Sequence, residues 1–501
     1  MYTRTEKLLL GIDIGTSGSK GVLATPDGRV VATAERSHEL SLPHPGHAEH
    51  DAEAVWWADF LTLAGELLSE DGRAERVAGV CASGIGPCLL PADAEGKPLR
   101  PAILYGVDTR ATGAVEELTD RYGEEEILAR CGSTLSSQAL GPKLLWLYRN
   151  EPAVWEKTRY MLMASSFLVQ RLTGEYILDH HSASQCDPLY DIERGGWIAE
   201  WAEEVAPGLA LPRLLWPSEI AGEVTQEASE LTGIPQGTPV AAGTIDAWAE
   251  SASAGVREPG DLMLMYGTTL FFIEVLQEAK RHPSLWGTAG LYKGTRNLAA
   301  GMATSGALTG WLKKIAGDVP YENLVEEARG VPAGSEGLVA LPYFAGERTP
   351  IMDPDARGLL AGLTLSHTRG HLYRAMLEAT AYGIRHILTT MQEAGGGGER
   401  LVAIGGGTKG GLWTQIVSDV TGRKQEIPKH TIGAAHGDAL LAAVATGLAG
   451  PDSAAEWNPV ESVVEPDPEN EGIYEELYGM YRELYPATRE QLHALARVQR
   501  G

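Results

Sequence analysis

The chain has 501 residues, enough for about three domains of ordinary size or for two large ones. Hydrophobic residues make up 44% and charged residues 22%, which excludes a disordered chain and a membrane-embedded one. The formal net charge of −26 would repel nucleic acid and anionic membrane surfaces, so we expect neither as a partner. Any anionic ligand therefore needs a sheltered local site.

The four cysteines form no C-x-x-C pair, so neither a disulfide framework nor a structural zinc site is indicated. The apolar run at the N-terminus stops at Asp13, too early for a signal peptide. No apolar run reaches the roughly 18 residues of a membrane span. We expect a cytoplasmic protein with reduced thiols.

The chain opens with a strand over residues 7–14, a turn over 15–18 and a second strand over 19–24. Asp13 ends the first strand, where an uncompensated buried carboxylate would cost roughly several kcal/mol. A metal ion would compensate it. The alternative is an aspartate that makes an ordinary turn contact.

The turn beside Asp13 reads Gly15-Thr-Ser-Gly18. Glycine allows close approach of the backbone, and the hydroxyls of Thr16 and Ser17 add further donors for a phosphate. Lys20 follows in the second strand and adds a positive charge. Together with Asp13, this turn predicts a magnesium–phosphate site.

The next elements alternate between helix and strand. Asp51 is positioned to cap a helix, residues 77–83 predict a strand, and residues 84–87 form a Gly-Ile-Gly-Pro loop. Residues 115–174 are mostly helical in pattern, and residues 240–243 predict another strand.

Asp246 follows that strand and starts a helical run that extends to residue 254. A carboxylate at a strand end suits a general base that faces a ligand. A lone aspartate at this place is also a common helix N-cap, so both interpretations stand.

The strand–turn–strand pattern of the N-terminus repeats later in the chain. Residues 261–266 predict a strand, Gly267-Thr-Thr269 a turn, and residues 270–276 a second strand. The repeat suggests two related halves whose turns grip one polyphosphate from opposite sides. The alternative is that Gly-Thr turns are simply common in hairpins.

Residues 405–410 fit G-x-G-x-x-G between a predicted strand and a predicted helix. This context is partly that of a dinucleotide-binding oxidoreductase, with Glu426 as the acidic residue. The same glycines would also let the backbone lie against an adenine or its phosphates. Near the C-terminus, an amphipathic helix is predicted to end at Pro486.

Several ordered motifs resemble the FGGY carbohydrate kinases, in particular their xylulose-kinase-like members, within the actin/Hsp70/hexokinase-like superfamily. The resemblance spans nearly the whole chain. It is carried by residues 11–16 (Gly-Ile-Asp-Ile-Gly-Thr), 45–51 with Trp56 and Trp57, 243–246 (Gly-Thr-Ile-Asp), 266–269, 342–350, 358–363, 371–378 and 405–407.

The resemblance implies an α/β fold of two ribonuclease-H-like domains that flank a deep ATP and sugar cleft. Residues 1–250 would form the N-terminal domain with the sugar and phosphate site, and residues 251–501 the C-terminal domain with the ATP and adenine site. ATP and Mg²⁺ would be the cofactors.

The resemblance also assigns roles to individual residues. Asp246 matches the catalytic base, and with Asp13 it would hold the metal. The residues implied to contact ATP and its phosphates are Asp13, Gly15, Thr16, Ser17, Lys20, Gly267, Thr268, Thr269, Gly406 and Gly407.

One departure bears on the substrate. Xylulose kinases of this family usually carry Gly-Gln-Met-His-Gly where this chain has Ser83-Gly-Ile-Gly-Pro-Cys88. Gly84 and Ile85 of this loop, with Asp246, would still contact the sugar. Asp108 and Arg110 align with a sugar-contacting region, which favours a sugar contact by Asp108; the alternative is an interdomain ion pair.

The predicted function is an ATP-dependent kinase that transfers the γ-phosphoryl group to a hydroxyl of a sugar, and the predicted sugar is a xylulose- or ribulose-like pentulose or a related polyol. A homodimer is one option for its assembly. The alternatives are an actin/Hsp70-like ATPase without sugar kinase activity and a dinucleotide-dependent oxidoreductase.

Overall fold

The computed structural model describes residues 6–500. It divides into two compact α/β units. The first unit contains the residues up to Arg257, Leu276–Asn297 and Ile432–Pro459. The second contains Glu258–Val275, Leu298–Thr431 and the residues from Val460 onwards. A single division after residue 250 does not describe this arrangement, because two later segments return to the first unit.

The strands, in chain order, are β1 (Leu8–Ile14), β2 (Gly18–Ala24), β3 (Val30–Ser37), β4 (Glu49–His50), β5 (Val77–Gly84), β6 (Leu90–Ala92), β7 (Ala102–Ile103), β8 (Tyr160–Leu162), β9 (Ile177–Asp179), β10 (Tyr190–Asp191), β11 (Gly196–Trp197), β12 (Arg213–Leu215), β13 (Ile220–Glu223), β14 (Pro239–Ala241), β15 (Thr244–Ile245), β16 (Asp261–Tyr266), β17 (Leu270–Leu276), β18 (Trp286–Ala289), β19 (Arg296–Met302), β20 (Val339–Leu341), β21 (Leu359–Ala361), β22 (Arg400–Ile404), β23 (Gln425–Pro428) and β24 (Val460–Val464).

The α-helices are α1 (Ala58–Leu68), α2 (Thr112–Tyr122), α3 (Glu124–Cys131), α4 (Leu140–Asn150), α5 (Pro152–Trp155), α6 (Ala164–Thr173), α7 (His180–Ala183), α8 (Ala199–Val205), α9 (Gln226–Thr232), α10 (Asp246–Ser253), α11 (Gly306–Ile315), α12 (Tyr321–Arg329), α13 (Arg369–Glu393), α14 (Leu412–Thr421), α15 (Ala434–Ala445), α16 (Ala454–Trp457) and α17 (Glu471–Arg500). The predicted cap at Asp51 is confirmed: its carboxylate accepts from the backbone N–H groups of Glu53 and Ala54 at the start of a π-helical turn that leads into α1.

The main sheets of the two units have the same topology. In the first, the strand order is β13-β14-β5-β1-β2-β3, and in the second the strands follow the order β24-β23-β22-β16-β17-β19. In both, the central hairpin is antiparallel (β1–β2, β16–β17) and its first strand pairs in parallel with the next strand along (β5, β22). The predicted pair of related halves is confirmed at the level of topology.

The C-terminal helix differs from the sequence-based expectation. The pattern predicted that it ends at Pro486, but α17 continues through Pro486 to Arg500. Proline removes one helical hydrogen bond, and here tertiary contacts outweigh that loss. The carboxylate of Asp353 bonds both the hydroxyl of Tyr485 and, at 2.7 Å, Nε2 of His493, so it holds the helix on both sides of the proline.

All four cysteines are buried and free of disulfides. Within residues 6–500, no helix combines the length and the apolar character that crossing a bilayer requires.

Candidate active site

Asp13 lies near the end of β1, next to the tight turn that leads into β2. The turn is closed by the N–H of Gly15, which donates to the carbonyl of Gly18 at 3.1 Å. His38 braces it, with Nε2 3.1 Å from the carbonyl oxygen of Gly15. Burial raises the pKa of Asp13 to about 6, although a hydrogen bond from Ser83 and the charge of Lys20 oppose that shift. The predicted strand, turn and carboxylate are therefore in place.

The other predicted donors of this turn differ in exposure. Ser17 and Lys20 are exposed, and the Lys20 ammonium lies 3.4 Å from a carboxylate oxygen of Glu35. The hydroxyl of Thr16 lies 3.3 Å from the hydroxyl of Tyr105. These residues surround the turn, and their contact with a phosphate stays a prediction.

Ser83 lies beside Asp13 because β5 runs parallel to β1, with Asp13 and Ser83 paired in register. The hydroxyl oxygen of Ser83 is 3.3 Å from Oδ1 of Asp13 and 2.7 Å from Oδ2 of Asp438, a residue of α15. Asp438 is fully buried, and burial together with the charge of Asp13 raises its pKa well above the usual range. Sequence reasoning missed both residues.

Asp246 is the first residue of α10, and the residue at the cap position is Ile245. The cap interpretation is therefore wrong: the only hydrogen bond found for the Asp246 carboxylate within residues 6–500 comes from the adjacent N–H of Ala247, at 2.7 Å. Burial and the nearby charge of Asp13 raise the pKa of Asp246 well above its usual range. A single backbone donor does not offset the effect of burial, so the Asp246 carboxyl holds a proton more readily than an ordinary aspartate does.

Glu250 lies one helical turn after Asp246, on the same face of α10. Burial and the charge of Asp13 raise its pKa to about 7, against the opposing charge of Lys20. The centre of the first unit thus gathers four carboxyl groups, those of Asp13, Asp246, Glu250 and Asp438.

Two glycines allow the helices that carry these groups to approach closely. A Cβ on Gly11 of β1 would lie 2.1 Å from the carbonyl oxygen of Ala435 in α15. A Cβ on Gly437 of α15 would lie 1.8 Å from the carbonyl oxygen of Ala249 in α10. Any side chain at either position would push a helix away from the carboxylate centre.

The carboxylates of this site fit magnesium in only one binding mode. Within residues 6–500, no group of three or more His, Cys, Asp or Glu side chains has the geometry to hold a metal ion. Mg²⁺ keeps several waters and is commonly bound by one or two carboxylates together with substrate phosphates. Asp13 and Asp246 are compatible with that mode: burial is the main cause of the raised pKa of both carboxyl groups, and a nearby cation would oppose that shift.

The predicted sugar-contacting loop is mainly apolar. Ile85 is buried, its N–H donates to the carbonyl of Ile14 at 2.7 Å, and the Cys88 thiol donates to its carbonyl at 3.2 Å. Gly84 ends β5, and a Cβ there would lie 2.7 Å from the Cβ of Ala164. The loop is therefore built from buried apolar side chains and backbone, and its contact with a sugar stays a prediction.

Asp108 and Arg110 form an ion pair that is internal to the first unit. Nε of Arg110 donates to both carboxylate oxygens of Asp108 at 2.9 Å, and a terminal nitrogen lies 2.8 Å from Glu49. The second oxygen of Asp108 also accepts from the N–H of Ala48 at 2.7 Å. Both side chains are almost completely buried, so a sugar contact by either one stays a prediction that the geometry does not favour.

In the second unit, the turn between β16 and β17 places the hydroxyl-bearing Thr268 and Thr269 at the surface. The N–H of Gly306, at the start of α11, donates to the carbonyl of Gly267 at 3.0 Å. Just before α11, the hydroxyls of Thr304 and Ser305 are buried, and within residues 6–500 they have no hydrogen-bond partner. These two hydroxyls were missed from the sequence, although their Thr-Ser-Gly run resembles the Gly-Thr turns.

The Gly405–Gly407 loop leaves the same sheet edge as the Gly267 turn, because β22 runs parallel to β16. A Cβ on Gly405 would lie 2.5 Å from the carbonyl oxygen of Tyr266, and one on Gly407 would lie 2.7 Å from the ring of Trp413. A Cβ on Gly406 would meet nothing within 4 Å, so its backbone is open to a ligand.

The predicted adenine loop also differs from a dinucleotide fingerprint. The carboxylate of Glu426, which such a fingerprint would direct to a ribose, instead accepts from Nε of Arg400 at 2.7 Å. It is therefore committed to an ion pair.

Comparison with known proteins decides the family. The model for the FGGY family of carbohydrate kinases, N-terminal domain, matches residues 8–252, and that for the C-terminal domain matches residues 262–446. The chain belongs to the FGGY family of carbohydrate kinases. The resemblance of the sequence motifs to this family is thereby confirmed, as is the two-domain α/β fold.

The similar proteins are named as kinases of more than one substrate. The xylulose kinase of Bacillus subtilis (strain 168) is 28% identical over 451 residues, which cover 88% of this chain and 89% of the relative. A glycerol kinase of Nocardia farcinica (strain IFM 10152) is 30% identical, with 89% and 90% covered. The crystal structure of xylulose kinase from Rhodospirillum rubrum superposes with a TM-score of 0.90 at 34% identity, over 97% of this chain and 100% of that one.

This FGGY kinase is therefore an ATP-dependent sugar kinase, a phosphotransferase with an alcohol group as acceptor. Neither the oxidoreductase nor the sugar-independent ATPase interpretation agrees with these matches.

Proposed function

We propose that the enzyme transfers the γ-phosphoryl group of ATP to a primary hydroxyl of a pentulose or a related polyol, with Asp246 as the general base. The observation that carries this proposal is the pair of carboxylates Asp13 and Asp246. Both belong to the first unit, each has a raised pKa, and the charge of Asp13 contributes to the shift at Asp246.

The two carboxylates suit different tasks. Asp246 has few donors and a raised pKa, so it is a stronger proton acceptor than an ordinary aspartate once it is ionised. It would take the proton of the acceptor hydroxyl as that oxygen attacks the γ-phosphorus. Asp13, beside the Gly15 turn, would lie next to the phosphates.

The cofactor assignments follow the same residues. Asp13 and Asp246 are the side chains that would hold Mg²⁺, which when bound neutralises charge on the transferred phosphoryl group. Backbone N–H groups and hydroxyls of Gly15, Thr16 and Ser17, with Lys20, would contact phosphate oxygens. In the second unit, we assign Gly267–Thr269 to the phosphates and Gly406 and Gly407 to the adenosine.

The substrate class rests on the relatives and on the loop at Ile85. A structure named as a xylulose kinase is 34% identical to this chain, and this supports a pentulose. A relative named as a glycerol kinase is almost as similar, which supports the inclusion of polyols. The apolar loop, with Gly84 and Ile85, offers fewer side-chain hydrogen bonds than a Met-His loop, so we expect the acceptor to differ from D-xylulose in the hydroxyls that this loop faces.

A cytoplasmic location completes the proposal, because ATP is supplied there and free thiols stay reduced there. Homodimer formation stays a prediction.

The decisive experiment measures ADP release across a panel of pentuloses, hexuloses, polyols and sugar acids, with Mg-ATP as donor. One or more pentuloses or polyols should stimulate ADP release far above the sugar-free rate. Turnover of none of these acceptors would refute the proposal.

The role of Asp246 is tested by Asp246→Asn. Loss of the general base should lower kcat by about 10²- to 10⁴-fold, while affinity for ADP, measured by calorimetry without Mg²⁺ so that the readout does not depend on a metal ligand, changes much less. Asp187→Asn is the matched control, because it removes another buried carboxyl of the first unit. Unchanged kcat in Asp246→Asn would eliminate this residue as the base.

A further inference from the structure

His38 follows β3 directly and contacts the turn between β1 and β2 at two points. Its backbone N–H donates to the carbonyl of Ser17 at 3.2 Å, and Nε2 of its ring lies 3.1 Å from the carbonyl oxygen of Gly15. The side chain is buried, with 8% of its surface exposed. One residue from outside the turn therefore fixes the direction of two of its carbonyl groups.

The contact with Gly15 also sets the direction of a neighbouring N–H group. A trans peptide is planar, and its C=O and N–H bonds point in opposite directions. The carbonyl of Gly15 faces His38, so the N–H of Thr16, which belongs to the same peptide group, points away from His38. We assign that N–H to the phosphates. His38 therefore determines where one of the phosphate donors points.

Both ring nitrogens of His38 face oxygen acceptors. The carbonyl oxygen of Gly15 can only accept, so Nε2 donates to it. Nδ1 is 2.9 Å from Oδ2 of Asp59, an oxygen that also accepts from the hydroxyl of Ser19 at 2.7 Å. A neutral imidazole carries one N–H and can donate to only one of these two acceptors, whereas an imidazolium donates to both. The complete set of contacts is that of a protonated ring beside an ionised carboxylate.

The charged and titratable groups around His38 come from four elements. Asp59 of α1 is its ion-pair partner, and the ring of His50 in β4 lies with its centroid 5.1 Å away. Burial and, to a smaller extent, the charge of His38 lower the pKa of His50 to about 4, so His50 is uncharged at neutral pH. On β2 and β3, the exposed side chains of Lys20 and Glu35 pair with each other at 3.4 Å. His38 is therefore the cation that Asp59 meets here.

We propose that His38 is a positioning residue which, as an imidazolium held by Asp59, fixes the Gly15 turn in its phosphate-binding form. The inference deepens the proposed function, because it rests on the assignment of this turn to the nucleotide phosphates. His38 acts through the turn and is not a catalytic residue. When the ring loses its proton, one of its two hydrogen bonds is lost, so the turn loosens and holds phosphate less well as the pH rises.

The variant His38→Phe keeps an aromatic ring and the backbone bond to Ser17 but removes both ring hydrogen bonds. Amide hydrogen exchange of the peptide that contains Gly15, followed by mass spectrometry without nucleotide, should be about tenfold faster in this variant. Affinity for ADP, measured by calorimetry without Mg²⁺, should fall by about tenfold, while the KM for the sugar stays near the wild-type value.

His493→Phe is the matched control. It also removes a histidine paired with a carboxylate, because Nε2 of His493 lies 2.7 Å from Oδ2 of Asp353, but it does so in the second unit. Exchange at the Gly15 turn and affinity for ADP should both stay at their wild-type values in this control.

A pH series separates the charge of the ring from its shape. NMR of ring-labelled histidine, with His38→Phe used to assign the signal, locates the pH range in which His38 loses its proton. Across that range, the ratio of the ADP affinity of wild type to that of His38→Phe should fall from about ten toward one. Titration of the ADP phosphates cancels in this ratio. A ratio that stays constant while the ring titrates would overturn the proposal.

Two further outcomes would also overturn it: equal exchange rates in wild type and His38→Phe, and faster exchange with unchanged ADP affinity. Thermal unfolding shows whether the variant is folded. If it is not, Asp59→Asn carries the same test, because it keeps an oxygen acceptor for Ser19 and removes the charge that holds the imidazolium. The exchange and ADP measurements need no sugar. Faster exchange and weaker ADP binding in His38→Phe, together with no turnover of any acceptor, would refute only the proposed function.

Discussion

Replacing Gly437 by alanine should push α10 and α15 apart and so disable the carboxylate centre of the first unit. The added Cβ would lie 1.8 Å from the carbonyl oxygen of Ala249, about 1.6 Å closer than an ordinary van der Waals contact of 3.4 Å. Because the obstacle is backbone in the middle of a helix, no side-chain rotation relieves it. Overpacking of this kind costs about 1–3 kcal/mol in the free energy of unfolding, and we expect the upper end.

The same shift should also reduce catalysis. Asp246 and Glu250 lie on α10, and Asp438 lies one residue after Gly437 on α15. A misplacement of about 1 Å in reacting groups can cost about 100-fold in rate. We therefore expect kcat in the ADP-release assay to fall by about that factor at a temperature where the variant is folded.

Gly65→Ala is the matched control for this variant. Gly65 lies inside α1 of the same unit, and a Cβ there meets nothing within 4 Å. Alanine at that position should stabilise the helix by about 0.5–1 kcal/mol and leave kcat unchanged. If denaturant unfolding and kcat of Gly437→Ala both match those of Gly65→Ala, close helix packing does not set the geometry of the site.

Three further predictions concern single contacts. Burial lowers the pKa of His181 to about 3 from an ordinary value of 6.5, so its contribution to stability is complete above pH 6.5 and is lost as the pH falls toward 3. In His181→Phe, the free energy of unfolding should therefore fall less steeply with decreasing pH in that window, by up to about 1.4 kcal/mol per pH unit. Parallel plots of unfolding free energy against pH for wild type and variant would contradict this. Arg110→Ala leaves the carboxylate of Asp108 buried without its ion-pair partner and should cost about 3–5 kcal/mol in denaturant unfolding, whereas a raised sugar KM at unchanged stability would instead support a sugar contact. Gly406→Ala should raise the KM for ATP without loss of stability, because its Cβ meets no protein atom within 4 Å. Gly407→Ala should lower the unfolding free energy by about 1–3 kcal/mol, because its Cβ would lie 2.7 Å from the ring of Trp413. Equal stability of the two variants would contradict the inference that Gly407 is needed for close packing.

Local sequence was sufficient to find the elements to which we assign phosphate and proton chemistry. Asp13 is recognisable because a carboxylate ends an apolar strand before a Gly-Thr turn, and this signal needs no distant partner. The duplicated Gly267 turn was found in the same way. Asp246 was found from its position after a strand, but its distinction from a helix cap needed the structure, which places Ile245 at the cap.

Residues that depend on tertiary pairing were missed. Asp438 meets Ser83 across 355 positions of sequence, and no local pattern encodes that contact. A signal existed, because a lone aspartate in an apolar helix implies a buried polar partner. The prediction that the C-terminal helix ends at Pro486 was wrong for a similar reason. Local stereochemistry predicts a helix end at proline, whereas Asp353, which contacts the helix on both sides of Pro486, is distant in sequence.

The return of residues 432–459 to the first unit has a consequence for synthesis of the chain. A ribosome that has made everything up to Arg257 has not made α15, the helix that packs against β1 and β5 through Gly11. The nascent first unit would expose that apolar sheet face while residues 258–431, which include most of the second unit, are still being translated. We therefore expect a fragment that ends at Arg257 to aggregate. If the chain is cut after Arg257, we expect the first unit to fold only when the fragment that contains α15 is supplied as well.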